Sequence, residues 1–476
     1  MKIALFHYHL KPGGVTTVIK KQIEVLKDDC EILIISGEEP KNSRTESNDF
    51  KNIPVIIIPE LAYCEKQFSL NEVKSIAKKI HNSCLEKIGG CDIFHAHNPL
   101  LAKNINLLKV LNELHNLGFR LFLQIHDFAE DGRTISYYFE DYPTHCHYGV
   151  INSRDYIILL NAGMKPEGLH KISNTIRPFE NLPSIKSKPD KNYIHYPVRA
   201  IRRKNIGEIV LLSQFLEKTD QLAIGLPPTS PKDFPYYESW KNFCRENHAN
   251  VLFEASYAIP FLQLVAMAKM MITTSITEGF GFSFLEPWTA NKVLCGRKIP
   301  DICIDFEEQG INFDHLYTRF AIPFTLLDKK KFFEKWKKAT LWNTHLFYFS
   351  IKKNDMEKAF HELTMDNAID FGLLDKETQQ SIIQKIIKSK LNKDMLLEKN
   401  PFILSLFDTN NKEDLIKKNK KIIQSYFTND RYRKMLLRIY KKVQAMDVTH
   451  EINKQTILRN FFNLNNFSLL KWEFYA

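Results

Sequence analysis

The segment MMITTSITEGFGFSFLE, residues Met270–Glu286, is the most informative part of this sequence. Its first six residues form a short apolar and β-branched run, which is typical of a buried strand. The glycines at positions 279 and 281 then permit a tight turn and the close approach of a ligand to the backbone. We expect a helix after this turn, with Glu286 two turns inside it. The start of such a helix offers free N–H groups and a positive dipole end to a phosphate.

Two carboxylates flank this glycine turn. Glu278 stands at the mouth of the turn, and seven residues separate it from Glu286. A phosphate would repel both carboxylates, so hydroxyl groups are their expected partners. A sugar hydroxyl for one and a ribose diol for the other would satisfy both. The alternative is an ordinary glycine turn that carries two surface glutamates.

The rest of the chain indicates an α/β architecture. Residues 1–180 alternate short apolar runs with helix-like stretches, which predicts a parallel sheet covered on both faces. Ile176–Asn192 is rich in Pro, Lys and Ser and predicts a linker, after which the alternation restarts over residues 181–327. We therefore predict two doubly wound Rossmann-like domains. Residues 328–476 are predicted to be helical and basic, with a packed terminal helix at Asn429–Val443.

Composition limits the compartment and the partners. The chain has 476 residues and a formal charge of +11, and the whole excess of Lys and Arg falls after residue 327. A basic surface there could meet an anionic membrane or an anionic acceptor, although a solvated lysine-rich helical face is the alternative. The eight cysteines form no C-x-x-C pair, and neither a signal peptide nor a long apolar span is visible. We expect a cytoplasmic protein, with membrane contact at the inner face as an open alternative, and no nucleic-acid partner.

The glycine turn and its two glutamates resemble the E-x7-E signature of the retaining glycosyltransferases of GT-B fold, most closely those of family 4. Near the N-terminus, Pro12-Gly13-Gly14-Val15 follows the first strand, as the glycine loop of that family does. Backbone without a Cβ can approach a diphosphate or a sugar closely. The resemblance assigns donor binding to Gly13, Gly14, Gly279, Phe280, Gly281, Phe282 and Glu286.

Histidines at two predicted strand ends resemble the acceptor side of the family's cleft. One segment, Gln124–Arg133, contains His126, Asp127 and Arg133, and the other contains His97. The carboxyl ends of strands are where open α/β sheets bind their ligands. We expect His126 to orient the sugar or the acceptor, and His97, Asp127 and Arg133 to lie on the acceptor side. For each of the two histidines, the alternative is a structural role as a core-packed or hydrogen-bonded side chain.

A basic cluster opens the second predicted domain. Arg199 and Lys204 have the spacing of the family's basic pair, which neutralises the leaving diphosphate. Arg203 could replace either of them. Helix starts normally favour acidic residues, so a basic cluster there indicates an anionic ligand rather than a basic surface.

The resemblance implies transfer of a hexose from a nucleoside-diphosphate sugar to an acceptor hydroxyl, with retention of anomeric configuration. The implied catalytic residues are His126, Arg199, Lys204 and Glu278. No D-x-D pair is present to hold a metal on the diphosphate, so we expect neither a metal nor another cofactor. The acceptor is either a soluble sugar or anionic metabolite or a lipid-linked glycan. Alternatives are a sugar-nucleotide epimerase, a phosphorylase, and a non-catalytic protein that binds sugar nucleotides or membranes.

Three parts of the sequence depart from the family pattern. Pro287-Trp288 follows Glu286 where a regular helix usually continues. The usual glycine-rich loop is replaced by Cys295–Asp301, which contains Arg297. The basic segment 328–428 has no counterpart that can be aligned. These departures leave the sugar and the acceptor open.

Overall fold

A computed structural model describes residues 1–39, 50, 52–185 and 190–472. The chain divides into two compact units. The first comprises Met1–Thr175 and Phe427–Phe462, and the second comprises Ile176–Tyr426 and the described residues from Asn463 onward. The first boundary falls at the start of the predicted linker, of which residues 186–189 lie outside the described residues.

The first unit is built on a parallel sheet. Its described strands are β1 (Lys2–His7), β2 (Glu31–Ser36), β3 (Val55–Ile57), β4 (Ile93–His97), β5 (Leu121–Gln124), β6 (His147–Val150) and β7 (Leu169–Lys171). Their spatial order is β3-β2-β1-β4-β5-β6-β7, and every pairing is parallel. Most strand residues are buried, as expected for a parallel sheet with both faces covered.

The second unit contains a further parallel sheet. Its strands are β8 (Asn192–Arg199), β9 (Asp220–Leu226), β10 (Val251–Leu252), β11 (Ala268–Thr273) and β12 (Leu294–Gly296), in the order β10-β9-β8-β11-β12. A small antiparallel pair joins β13 (Ala321–Pro323) and β14 (Ala368–Asp370). The two parallel sheets confirm the predicted fold class.

Helices occupy most of the remaining described chain. They are α1 (Gly14–Leu26), α2 (Leu70–Ile88), α3 (Leu107–Asn116), α4 (Ser153–Asn161), α5 (Ile206–Leu212), α6 (Phe234–Glu246), α7 (Ala255–Ala258), α8 (Phe261–Met267), α9 (Glu286–Thr289), α10 (Pro300–Glu307), α11 (Lys329–Leu346), α12 (Lys353–Leu363), α13 (Lys376–Lys388), α14 (Lys390–Lys399), α15 (Glu413–Tyr426), α16 (Asn429–Ala445), α17 (Lys454–Phe461) and α18 (Leu469–Trp472). Among the described residues, none of these helices has both the length and the apolar character needed to cross a membrane.

Both faces of the first sheet are completed by residues from near the end of the chain. On one face, Ile3 and Ile34 pack with α1 and with buried residues of α16 such as Leu436 and Tyr440. On the other face, α2, α3 and α4 cover the sheet together with α17. The predicted terminal helix at Asn429–Val443 is therefore present as α16. It packs in the first unit because its apolar residues recur at helical spacing and complete that core.

The structure differs from the predicted third region. Residues 328–476 do not form a separate domain, because α11 to α15 belong to the second unit and α16 and α17 belong to the first.

The helix predicted after the glycine turn is also wrong. A 3₁₀ turn at Phe282–Phe284 is followed by α9, which has only four residues and begins at Glu286. Pro287 explains the difference, because proline lacks an N–H and clashes inside a helix but is tolerated in the first turn. Glu286 therefore lies at the start of a one-turn helix, not two turns inside a long one. A long helix dipole therefore does not support the amides of this turn.

A buried ionic network lies inside the second unit. Arg297 donates to Glu208 on α5 through Nε (2.9 Å) and Nη2 (2.5 Å), and to both carboxylate oxygens of Asp370 at 2.8 Å. Tyr317 donates its hydroxyl to Glu208 Oε1 at 2.6 Å. Burial raises the pKa of Glu208 despite the opposing effect of Arg297. The network fixes β14 and α5 to the segment after β12.

We predict that Arg297→Met lowers the free energy of unfolding of the second unit by about 3–5 kcal/mol, because it leaves Glu208 buried without its cation. The control is Arg319→Met, which removes a partly exposed ion pair with Asp366 and should cost no more than about 1 kcal/mol. Urea denaturation followed by circular dichroism measures both. Equal losses for the two variants would contradict the assigned role of the buried network.

Candidate active site

The turn that carries Lys204 is fixed to the end of β11. This 3₁₀ turn connects β8 to α5. The Lys204 carbonyl accepts hydrogen bonds from Thr274 Oγ1 (2.9 Å) and from the Tyr196 hydroxyl (3.2 Å). The Ile276 amide donates to the Arg203 carbonyl at 3.0 Å. Because β8 and β11 are neighbours in the sheet, the basic cluster and the glutamate motif meet although they are far apart in sequence.

Lys204 and Glu278 form an ion pair that is almost excluded from solvent. Lys204 Nζ contacts Glu278 Oε1, and the two side chains are only 12% and 9% exposed. Burial lowers the pKa of Lys204 and outweighs the opposing attraction of Glu278. Burial alone would raise the pKa of Glu278, but Lys204 and Arg203 together lower it. Two of the three predicted catalytic residues of this unit are thus brought together, with Glu278 held as a carboxylate.

The second cation near this pair is Arg203. Its charge acts on both Lys204 and Glu278. Arg199 is an exposed side chain at the end of β8. The role of Arg199 therefore stays a prediction. Arg203, which the sequence analysis left open as a replacement for Arg199 or Lys204, is added to the candidate site.

The glycine turn contains a left-handed backbone position that glycine can adopt without strain. Gly281 has a φ of 89°, which side chains rarely adopt, and a Cβ there would lie 3.0 Å from Ile302 and Phe284. Phe280 and Phe282 meet edge to face with ring centroids 5.0 Å apart. Ser283 Oγ is buried and has no hydrogen-bond partner among the described residues. Because buried hydroxyls are normally paired, we add Ser283, which the motif alone did not single out, to the candidate site residues.

Glu286 is a partly buried carboxyl group at the start of α9. Burial raises its pKa from 4.5 to about 7. Its environment thus differs from that of Glu278, which Lys204 and Arg203 keep ionised. A hydroxyl donor would stabilise the charged form of Glu286, which agrees with the predicted diol partner.

The first unit carries the glycine loop. Gly13 is extended, with a φ of 175°, and Gly14 begins α1. A Cβ on Gly13 would meet only the Lys11 carbonyl at 3.9 Å, and one on Gly14 would meet nothing within 4 Å. The fold of this unit therefore does not require either glycine. Open space beside them agrees with close approach of a ligand, which stays a prediction.

Three histidines form a neutral stack at the ends of β4 and β5. The rings of His95 and His97 lie 4.3 Å apart, and those of His97 and His126 lie 5.3 Å apart. His97 Nδ1 and His126 Nε2 are hydrogen-bonded at 3.0 Å. Burial lowers the pKa of His126 to about 4 and lowers that of His97 well below its usual value. His126 is therefore neutral near pH 7, which suits a hydrogen-bonding role better than proton transfer.

The loop after His126 is organised by Asn98, another residue that the motifs did not single out. Asn98 has a φ of 53°, and its Oδ1 accepts from the amides of His126 (2.7 Å) and Asp127 (3.0 Å). Arg133 Nη2 donates to Asp127 Oδ1 at 2.6 Å. Arg133 Nη1 is buried and has no hydrogen-bond partner among the described residues. The predicted acceptor-side residues thus form one connected group.

The described residues contain no cluster of three or more His, Cys, Asp or Glu side chains that could hold a metal ion. Charge at the candidate site is supplied by lysine and arginine instead. Metal independence nevertheless stays a prediction.

The chain resembles proteins of known sequence and structure along almost its whole length. The chain is 26% identical to the mannosylglucosyl-3-phosphoglycerate synthase of Petrotoga mobilis, over 98% of both chains. No family model matches the sequence.

Solved structures of similar fold cover almost the whole chain. HepE from Anabaena in complex with UDP is 14% identical with a TM-score of 0.52, and it covers 92% of this chain and 99% of its own. Sucrose-phosphate synthase from Thermosynechococcus elongatus is 13% identical with a TM-score of 0.54, over 92% and 98%. A glycosyltransferase from Rickettsia africae is 12% identical with a TM-score of 0.54, over 93% and 98%. These comparisons confirm the predicted resemblance to glycosyltransferases of GT-B fold.

We predict that the Glu286 carboxyl titrates near pH 7, because burial penalises its charged form. Carbon-13 NMR of labelled glutamate, with Glu286→Gln to assign the signal, measures the midpoint. In the unfolded chain this group ionises near pH 4.5. As the pH rises from 4.5 to 7, the unfolded chain releases a proton that the folded wild type still holds, so the wild type loses stability that Glu286→Gln retains. A midpoint near 4.5, with a constant stability difference between the two proteins, would contradict this environment.

Proposed function

We propose that this chain, which has the GT-B fold of the glycosyltransferases, transfers a hexose from a nucleoside-diphosphate sugar to an acceptor hydroxyl. We further propose that the transfer retains anomeric configuration and needs no metal. The observation that carries this proposal is the buried pair of Lys204 and Glu278. In the structure each charge neutralises the other. A bound donor would divide them, with the diphosphate taking Lys204 and a sugar hydroxyl donating to Glu278.

Charge on the leaving group is the main catalytic problem in this reaction. The bond from the anomeric carbon to the diphosphate oxygen breaks, and the departing oxygen gains negative charge. Lys204, Arg203 and the amides of the glycine turn are preorganised donors for that charge, and the unpaired Ser283 hydroxyl adds another. Such donors contribute most where water is excluded.

Retention follows from a front-face route without an enzymic nucleophile. The acceptor oxygen bonds to the anomeric carbon on the side from which the diphosphate departs, and the acceptor proton passes to the departing phosphate oxygen. No side chain has to accept that proton. The low pKa of His126 is consistent with this route, since the neutral ring orients a hydroxyl without taking its proton.

The acceptor that we propose is a soluble, anionic sugar derivative. The product named for the Petrotoga relative contains mannosyl, glucosyl and 3-phosphoglycerate groups. Arg133 offers a buried Nη1 group without a partner among the described residues, and a guanidinium suits a carboxylate or phosphate. We therefore propose glucosyl-3-phosphoglycerate or a close analogue as the acceptor, in preference to a lipid-linked glycan. The donor sugar proposed on the same basis is mannose.

We predict that the purified protein, after EDTA treatment, forms a glycoside from glucosyl-3-phosphoglycerate and one member of a panel of UDP-, GDP- and ADP-sugars. Proton NMR of the product should show that the new glycosidic bond keeps the donor's anomeric configuration. Inversion, or an absolute requirement for added Mg²⁺ or Mn²⁺, would contradict the proposal. Conversion of the sugar nucleotide without an acceptor would indicate an epimerase instead.

We predict that Lys204→Ala lowers kcat/KM at least ~100-fold, because it removes a preorganised cation from the leaving group. Lys204→Met combined with Glu278→Gln should show a comparable loss while leaving no buried charge unpaired. Lys417→Ala removes an exposed lysine from α15 and should keep kcat/KM within about twofold. Thermal denaturation checks that each variant is folded. Wild-type turnover in the Lys204→Ala protein would exclude this role.

A further inference from the structure

The helical segment without an alignable counterpart contacts the residue that follows Lys204. Gln379, on α13, donates from Nε2 to Asn205 Oδ1 and to the Phe371 carbonyl, both at 3.0 Å. Gln379 and Asn205 are fully buried. Asn205 has a φ of 50°, so the chain changes direction there between the Lys204 turn and α5. The direction in which the Lys204 side chain leaves the backbone therefore depends on how Asn205 is held.

The first turn of α5 is shaped to admit Gln379. A Cβ on Gly207 would lie 2.2 Å from Gln379 Oε1 and 2.6 Å from Trp240 Cζ2. Glycine inside a helix is less favourable than alanine, so its presence needs a reason. The close approach of Gln379 and Trp240 supplies that reason. The absence of a side chain at Gly207 thus makes room for the contact between α13 and α5.

Asn205 also links Gln379 to the buried ionic network. Asn205 Nδ2 donates to Glu208 Oε2 at 2.8 Å, and Glu208 receives Arg297. Arg297 in turn binds Asp370 on β14, within the helical segment. Two of the departures from the family pattern, the segment around Arg297 and the long helical region, therefore meet in one network beside Lys204.

We propose that Gln379 is a positioning residue for Lys204, and that the helical segment serves the transfer reaction by fixing the Lys204 turn through Asn205. This inference rests on the proposed function of Lys204. The proposal requires no direct contact between Gln379 and Lys204. It acts by holding the Asn205 amide, and thereby the left-handed backbone, in one orientation. A shift of the ammonium by a fraction of an ångström then weakens its contact with the leaving diphosphate.

Gln379→Met tests this with a matched control on the same helix. Methionine has a similar length but cannot donate to Asn205. We expect kcat to fall about tenfold, with the donor KM changed less than about twofold, since the lost interaction matters most in the transition state. Gln380→Met removes a hydrogen bond from the adjacent glutamine to Ser239 on α6 and should leave both constants unchanged. Equal effects of the two substitutions would overturn the proposal.

A double-mutant cycle separates positioning from general damage. In a Lys204→Ala background, Gln379→Met should cause no further loss of kcat, because the group that it positions is absent. Multiplicative losses would show a structural role only and would overturn the proposal. Asn205→Gly is the second variant, for use if Gln379→Met proves unstable. It retains the left-handed backbone but removes the side-chain amide, and we expect the same loss of kcat, about tenfold. Wild-type rates for Asn205→Gly would also overturn the proposal.

Nucleotide binding distinguishes failure of this inference from failure of the proposed function. Calorimetry with UDP, GDP and ADP is performed on the wild-type protein before the variants are compared. A wild type that binds none of them and transfers no sugar contradicts the proposed function. A wild type that binds and transfers, alongside a Gln379→Met protein of equal kcat, contradicts the positioning role alone.

Discussion

A cation and a carboxylate buried against each other, Lys204 and Glu278, constrain the ends of two neighbouring strands in the second unit. Either Lys204 or Glu278 alone would be strongly unfavourable in that environment, because removal from water penalises an unpaired charge. Each residue therefore requires the other, and both require that the ends of β8 and β11 stay side by side. The hydrogen bonds from Thr274 and Ile276 to the Lys204 turn meet that requirement. Chemistry and fold depend here on the same backbone contacts.

The two units hold different chemistry. The second unit concentrates formal charge, with Lys204 and Arg203 beside Glu278 at the start of the glycine turn. The first unit presents imidazoles that burial keeps neutral, with His126 joined to His97 and its loop held by Asn98. In the proposed reaction the departing phosphate of the donor is the base. Such a reaction needs strong positive charge at the diphosphate and only hydrogen bonding elsewhere. The contrast between the two units matches that division.

Local sequence was sufficient for the sheets and insufficient for the contacts between distant segments. Apolar runs predicted both parallel sheets, because a strand buried on both faces has a distinctive composition. The predicted helix after the glycine turn is wrong because proline is tolerated only in the first turn of a helix, and Pro287 therefore requires the helix to begin at Glu286. Arg203 remained undecided because three basic residues are equivalent in sequence and differ only in three dimensions. The bond between Gln379 and Asn205 spans 174 positions and has no local pattern.

The placement of α16 and α17 in the first unit affects how the protein emerges from the ribosome. The faces around Ile3 and Ile34 have no complete cover until Leu436 and Tyr440 have been made. At typical elongation rates the intervening chain takes on the order of ten seconds or more to synthesise. During that interval a nascent parallel sheet exposes apolar surface while Ile176–Tyr426 of the second unit are translated. Newly made chains should therefore depend on chaperone binding at the first sheet, and truncation before residue 427 should leave that sheet prone to aggregate.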